Sequence, residues 1–240
     1  MTAAMLPIHE QFVSIQGEGI LVGTPSSFVR VAGCNLRCVW CDSPGTSWTP
    51  RGQQTSVDEV FEFCARGPRH VVLTGGEPLL FPALGVLSQR LRLAGHHVTV
   101  ETAGTVWLDE LDCDLISVSP KLAHSTPWRR APQLAHRHDR LRLTLEPLRE
   151  LLATFYWQLK FVVACDDPRA LARDVGEVEI LLSQLAVAQS DRDRVLLMPE
   201  GVDPQQLPAQ YRALASVCAE RGFRIGERLH ITMFGHTPGT

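Results

Sequence analysis

Short apolar, β-branched runs alternate with longer helical patterns through most of the 240 residues. Candidate strands run over 28–32, 70–73, 97–101, 114–118, 156–163, 194–198 and 229–234. Candidate helices run over 57–65, 82–94, 168–188 and 204–221. Ser56 stands where an N-cap belongs, ahead of Asp58 and Glu59. Gly95 and Gly222 stand where helices end. A βα unit of roughly 25–30 residues implies a parallel sheet with right-handed crossovers. A closed eight-fold barrel takes about 250 residues. The opening ~25 residues and the stretch 122–150 do not read as βα units, which leaves room for about six strands. The expected fold is therefore α/β, an incomplete and open parallel β/α barrel forming a single domain over 1–240. The 122–150 stretch is rich in Arg and His and turns helical only over 141–152, so it reads as a surface insertion.

Apolar residues make up 45% of the chain and charged residues 20%, enough to bury a core and too apolar for a disordered chain. No run of ~18 apolar residues occurs, which argues against a membrane span. Met1–Pro7 lacks the basic and apolar regions of a signal peptide, so a cytoplasmic location is expected. The net charge is −3, with both signs interspersed, which disfavours a nucleic-acid partner held by bulk charge. Arg129, Arg130, Arg137, Arg140 and Arg142 have only Trp128 among them, and read as a solvated face. Against 21 arginines there are two lysines, Lys121 and Lys160, both at strand signals. That makes each a candidate for a role arginine does not fill.

Polar and glycine residues gather at the carboxyl ends of the strands, where parallel α/β folds place their sites. Those ends carry TGGEP, ETAG, SPK, the Lys160 region and MPEG. Of seven cysteines, Cys34, Cys38 and Cys41 fall within eight residues. A disulfide framework spreads its cysteines and suits a smaller chain. Three thiolates on one short loop can hold three corners of an iron–sulfur cube, leaving one iron open. A structural zinc site wants four closed ligands, and no fourth stands nearby. Cys64, Cys113, Cys165 and Cys218 are scattered and read as small buried hydrophobes.

The spacing CxxxCxxC, with Trp40 before the third cysteine, and the GGE of Thr74-Gly75-Gly76-Glu77-Pro78 resemble the radical SAM superfamily. Within it, Phe12–Gly19 (FVSIQGEG), Gly23-Thr24-Pro25, Phe28-Val29-Arg30, Gly33–Cys38 (GCNLRC) and Trp40-Cys41-Asp42-Ser43 are similar to the 7-carboxy-7-deazaguanine synthase family. The resemblance continues through ETAGT and SPK to LHITMFG, and leaves out 122–150 and the 165–192 helix. It implies a lyase that contracts 6-carboxy-5,6,7,8-tetrahydropterin to 7-carboxy-7-deazaguanine with loss of ammonia, on the way to queuosine and other 7-deazapurines. It implies a [4Fe–4S] cluster, S-adenosylmethionine (SAM) and Mg²⁺, a homodimer, and a flavodoxin or ferredoxin-type reductant.

The resemblance also implies roles. Cys34, Cys38 and Cys41 would ligate the cluster, and Ser43 Mg²⁺, where Thr is commoner. Trp40, Gly76, Glu77, Ser119, Pro120, Lys121, Met198, Pro199, Glu200 and Gly201 would bind SAM. Ile15, Gln16, Gly17, Glu18, Arg30, Thr74, Glu101, His230 and Thr240 would face the substrate. Physically, Gln16 and Glu18 can present amide and carboxylate to a pterin edge, and Gly17 and Gly19 let backbone approach it. Arg30 suits a carboxylate clamp or, equally, a salt bridge at the barrel mouth. Glu101 faces the pterin or pairs with an arginine; His230 is a substrate contact or a structural histidine. Two rivals stand beside this reading. A glycyl-radical activase would share CxxxCxxC and GGE but add ferredoxin-like cysteines; an electron-transfer module would want a closed four-cysteine cluster.

Overall fold

The computed structural model describes residues 4–240; Met1–Ala3, part of the segment read above for targeting, lie outside them. Among the described residues one open sheet of nine strands organises the fold, in the order β3-β1-β2-β4-β5-β6-β7-β8-β9. Here β1 is Met5–Ile15, β2 Pro25–Val31, β3 Gln53–Ser56, β4 His70–Gly75 and β5 His97–Thr102. β6 is Leu115–Val118, β7 Trp157–Val163, β8 Val195–Pro199 and β9 Arg224–Ile225. From β2 to β9 every pairing is parallel. The two ends of the sheet, β3 and β9, do not pair, so the barrel stays open.

Helices fill the crossovers. The short α1 is Pro44–Ser47, α2 Val57–Ala65, α3 Ala83–Leu93, α4 Pro132–Arg142 and α5 Glu146–Thr154. α6 is Pro168–Gln184, α7 Leu207–Arg221 and α8 Leu229–Phe234. Ser56 closes a capping box with Glu59 at the start of α2. Gly222 ends α7 in the left-handed conformation (φ 73°). The core lies between sheet and helices. Val71, Leu73, Val98, Val100, Ile116, Val118, Leu159 and Phe161 from the strands are fully buried there, with Leu84, Leu87 and Leu91 of α3.

Two expectations need correction, and one stretch holds a strand that was not expected. The opening residues, outside the parallel βα units as expected, form β1, an eleven-residue strand antiparallel to β2 and β3. Its apolar alternation is broken by a bulge between Ile8 and Glu10 and by polar residues facing a cavity, which blurs the period-2 signal. The run 229–234 is helical. The sheet has already ended at β9, the Leu229 amide donates to the Gly17 carbonyl (2.8 Å), and tertiary context overrides β propensity. The 122–150 stretch is not merely a surface appendage: its helix α4 buries Ala135 and His138, and α5 buries Leu148 and Leu151.

At the amino ends of the strands, His70 is 4% exposed, within 2.6 Å of Ser26 Oγ and 2.8 Å of Thr99 Oγ1. Burial, helped by His97, pushes its pKa down from 6.5 to about 4. The fold favours the neutral ring, so its contribution is complete above pH 6.5 and is lost as pH falls toward 4. Urea midpoints measured across that window should fall with pH, and fall less steeply in His70→Gln. Equal slopes would show that the ring is not the titrating group.

Candidate active site

At the carboxyl ends of the parallel strands lies a cavity of about 460 Å³. Its floor is the loop after β2. Cys34, Cys38 and Cys41 all line it, and all three thiols are free. Burial pushes Cys34 up to about 11 and Cys38 up to about 12, so both are neutral thiols until a metal displaces their protons. Among the described residues no three His, Cys, Asp or Glu side chains converge as around a single ion. A cubane takes thiolates at separate corners, so three spaced cysteines on one cavity wall suit it. Trp40, beside Cys41, lines the same wall, with its indole N–H buried and unpartnered.

The loop is braced on its backbone. Trp48 Nε1 donates to the Cys38 carbonyl (2.9 Å), and Asn35 and Thr105 exchange side-chain hydrogen bonds (3.0 and 3.2 Å). Gly76 packs so tightly here that a Cβ would stand 2.2 Å from the Gly33 carbonyl oxygen and 2.9 Å from Cys34 Cβ. The TGGEP turn and the cysteine loop therefore fit together only with glycine at 76.

Thr74 and Gly76 reach the cavity, but Glu77 does not. Its fully buried carboxylate turns into the wall and accepts from Thr102 Oγ1 (2.7 Å), the Ala103 amide (2.8 Å) and the Leu79 amide (3.2 Å). It ties the β4 turn to the β5 turn. Ser119 and Lys121 line the cavity and are bonded to each other (2.7 Å), with the ammonium 5.6 Å from the Trp40 ring centre. Pro120 does not line it. Of the MPEG strand end only Met198 does. Pro199 closes β8, Glu200 pairs with His124 (3.3 Å), and the Gly201 carbonyl accepts from Arg228 (2.5 Å). His124 also meets Asp174 (3.2 Å) and stacks on Trp40 at 5.6 Å. Its own desolvation is outweighed by these two acids, which raise it to about 9.

The opposite wall carries the IQGEG turn. Ile15, Gln16, Gly17 and Glu18 all line the cavity. Glu18 pairs with Lys160 (2.6 Å) and Arg228 (3.3 Å). Burial works to raise the Glu18 pKa, but Lys160, Arg228 and His230 hold it well below the carboxylate range. Lys160, the central residue of β7, is correspondingly held charged. Glu101 accepts from Thr74 Oγ1 (2.9 Å) and Gln16 Nε2 (3.2 Å) and lies 3.8 Å from Lys160, so no arginine pairs with it. Arg30 does form the salt bridge of its second reading, to Glu10 at 2.6 Å, while still lining the cavity. His230 stands on α8 rather than a strand, 4.0 Å from Glu18. Its ring packs over Gly17, where a Cβ would stand 2.0 Å from Nδ1. Thr240 lines the cavity with the tail residues 236–239.

One residue escaped the sequence reading. Arg228 is 4% exposed and joins Glu18, the Asp42 carboxylate (2.5 Å) and the Gly201 carbonyl. Its only signal was a place next to LHITMFG among many arginines. Asp42 thereby spends one oxygen on Arg228, and its other lies 3.4 Å from Ser43 Oγ.

The open parallel barrel and the cysteine loop define a radical SAM protein, and the model described as the Radical SAM superfamily matches residues 28–154. A 7-carboxy-7-deazaguanine synthase of Halobacterium salinarum is 44% identical across 98% of this chain and 93% of its own. One of Rhodopirellula baltica is 42% identical across 98% and 89%. The crystal structure of QueE from Escherichia coli superposes with a TM-score of 0.66 at 25% identity, covering 94% of this chain and 95% of that one. The chain belongs to the 7-carboxy-7-deazaguanine synthase family.

Breaking the buried Glu18–Lys160 pair at Lys160 leaves Glu18 only its longer contact to Arg228, which costs up to about 3–5 kcal/mol. Lys160→Met should therefore lower the urea-derived stability by about that much. Glu18→Leu combined with Lys160→Met should recover most of it. A double variant as unstable as the single would show that packing, rather than the stranded charge, sets the loss.

Proposed function

We propose that this chain is a radical SAM lyase that contracts 6-carboxy-5,6,7,8-tetrahydropterin to 7-carboxy-7-deazaguanine with loss of ammonia, a step toward queuosine. The observation that carries the reading is one cavity that joins the cysteine loop to the IQGEG turn, in a chain whose relatives bear that name over nearly full length. Cys34, Cys38 and Cys41 would hold a [4Fe–4S] cluster, with its fourth iron open toward SAM. When bound, cluster and SAM supply a 5′-deoxyadenosyl radical.

The chain's own part is binding, orientation and exclusion of water. Ser119, Lys121 and Met198 form the SAM side with the Gly76 backbone and Trp40, whose free indole N–H is an available donor. Glu77, Pro120, Pro199, Glu200 and Gly201 act from behind the wall. On the other side, Gln16, Glu18, Thr74 and Glu101 offer a planar heterocycle donors and acceptors, already oriented by bonds among themselves and to Lys160. Arg30, Lys160 and Arg228 bring cations to that end for a substrate carboxylate, each also paired with a carboxylate of the chain, and His230 stands beside them with burial pushing its pKa down. Ile15 and Thr240 complete the lining.

Mg²⁺ takes oxygen ligands and keeps waters. Ser43 Oγ is one such oxygen, and Asp42 is committed to Arg228, so the substrate carboxylate and water would supply the rest. A homodimer, a cytoplasmic setting and a flavodoxin or ferredoxin-type reductant complete the proposal. Among the described residues no helix is long and apolar enough to cross a membrane.

Anaerobic protein loaded with iron and sulfide, then given dithionite, SAM, Mg²⁺ and the carboxypterin, should yield 7-carboxy-7-deazaguanine by mass spectrometry. Cys38→Ala should yield none. Deoxyadenosine without that product would keep the radical chemistry and discard the substrate. Ser43→Ala should raise the Mg²⁺ concentration needed for half-maximal rate by about tenfold, the loss of one ligand. An unchanged requirement would remove Ser43 from the Mg²⁺ site.

A further inference from the structure

We propose that His138, on the insertion helix α4, is a positioning residue that fixes the cluster loop at Cys38. The proposal rests on the radical SAM reading above for what the loop holds, and on geometry for the rest. His138 is 1% exposed. Its Nδ1 accepts from the Arg37 backbone N–H at 2.9 Å, across 101 residues of sequence. Its Nε2 lies 3.0 Å from Ser125 Oγ, and the Ser125 carbonyl accepts from the Val39 N–H at 2.9 Å.

These contacts close a ring: Arg37, Cys38, Val39, Ser125, His138 and back to Arg37. Cys38 is the one residue of the ring with no link to the insertion of its own. It is held between two tethered amides, while Trp48 holds its carbonyl. The Cys38–Val39 peptide unit is therefore fixed at both its carbonyl and its N–H, and the Leu36–Arg37 unit at its N–H, which narrows the direction in which the Cys38 thiol leaves the backbone.

The ring chemistry sets the protonation. An amide N–H pointing at Nδ1 requires that nitrogen to be bare, so the proton sits on Nε2 and is donated to Ser125 Oγ. Burial, with Arg142 alongside, pushes the histidine down to about 4, which keeps the ring neutral at ordinary pH. A side chain that merely filled the space would leave the Arg37 amide buried without an acceptor. Asparagine places an amide oxygen where Nδ1 stands and keeps that bond. Glutamine reaches the Nε2 position instead, and leucine offers neither.

The test compares His138→Asn, His138→Gln, His138→Leu and Ser125→Ala. On cluster-free protein, hydrogen exchange at the Arg37 amide should quicken by about tenfold in the Leu and Gln variants and stay within about twofold in Asn. Ser125→Ala keeps its carbonyl, so Val39 exchange should hold while Arg37 exchange quickens. On cluster-loaded protein, iron loss to a chelator should follow the same order. The reduced cluster should show a broadened electron paramagnetic resonance signal in Leu and Gln, and a native one in Asn. Equal behaviour of Asn and Leu, or native behaviour of Leu, would overturn the proposal. The exchange arm needs no iron, and uptake of iron by the unaltered chain tests the underlying reading separately.

Discussion

An open barrel has no closing strand pair, so contacts outside the strand ladder must hold its two sides at a fixed distance. Here the Glu18–Lys160 pair does so, at 2.6 Å across 142 residues of sequence. It joins the turn after the antiparallel β1 to the middle of β7, through the cavity itself. A buried ion pair adds little net stability, because desolvation consumes most of the Coulombic gain. What it provides is register: a carboxylate and an ammonium that are costly apart admit one arrangement of the walls. Arg228 extends the constraint to Asp42 and to the strand end at Gly201. The IQGEG turn, the segment after the third cysteine and the end of β8 thereby share one guanidinium.

The other side of the cavity is fixed by backbone. Gly76 lies against Gly33 too closely for any side chain, and the fully buried Glu77 ties its own turn to the next. The two sides thus use different physics. Charge orders the end that would receive a polar heterocycle. Steric contact and main-chain hydrogen bonding order the end that would hold a reactive cluster, where a loose thiol or a stray water is harmful.

The sequence was informative wherever one local signal sufficed. The parallel strands β2 and β4 to β8 and the helices α2, α3, α6 and α7 follow from β-branched runs and end signals at Ser56, Gly95 and Gly222, and each falls within a few residues of its expected place; the two-residue β9 had no such signal. The cysteine loop followed from spacing alone. Local signals failed where a residue's role depends on a distant partner. β1 was obscured because Glu10 and Phe12 face a cavity rather than a core. The β-branched 229–234 run became a helix because a carbonyl at Gly17 receives its first amide. GGE suggested that Gly76 and Glu77 touch a ligand, yet nothing local says that Glu77 points backwards. Arg228 was one arginine among 21. The insertion was misread for the same reason, since its helical period emerges only after 141 while its buried histidine lies before.

That long-range dependence has a consequence for how the chain is made. The cysteines lie in the first fifth of the sequence, but the groups that hold Arg37 and Val39 are Ser125 and His138, the latter 101 residues downstream of Arg37. At a synthesis rate of about 5–20 residues per second, the loop emerges roughly 5–20 seconds before its brace exists. During that interval three oxidisable thiols sit on a segment that lacks its later brace. The order of assembly is thereby built into the sequence: the loop first, the insertion that braces it second.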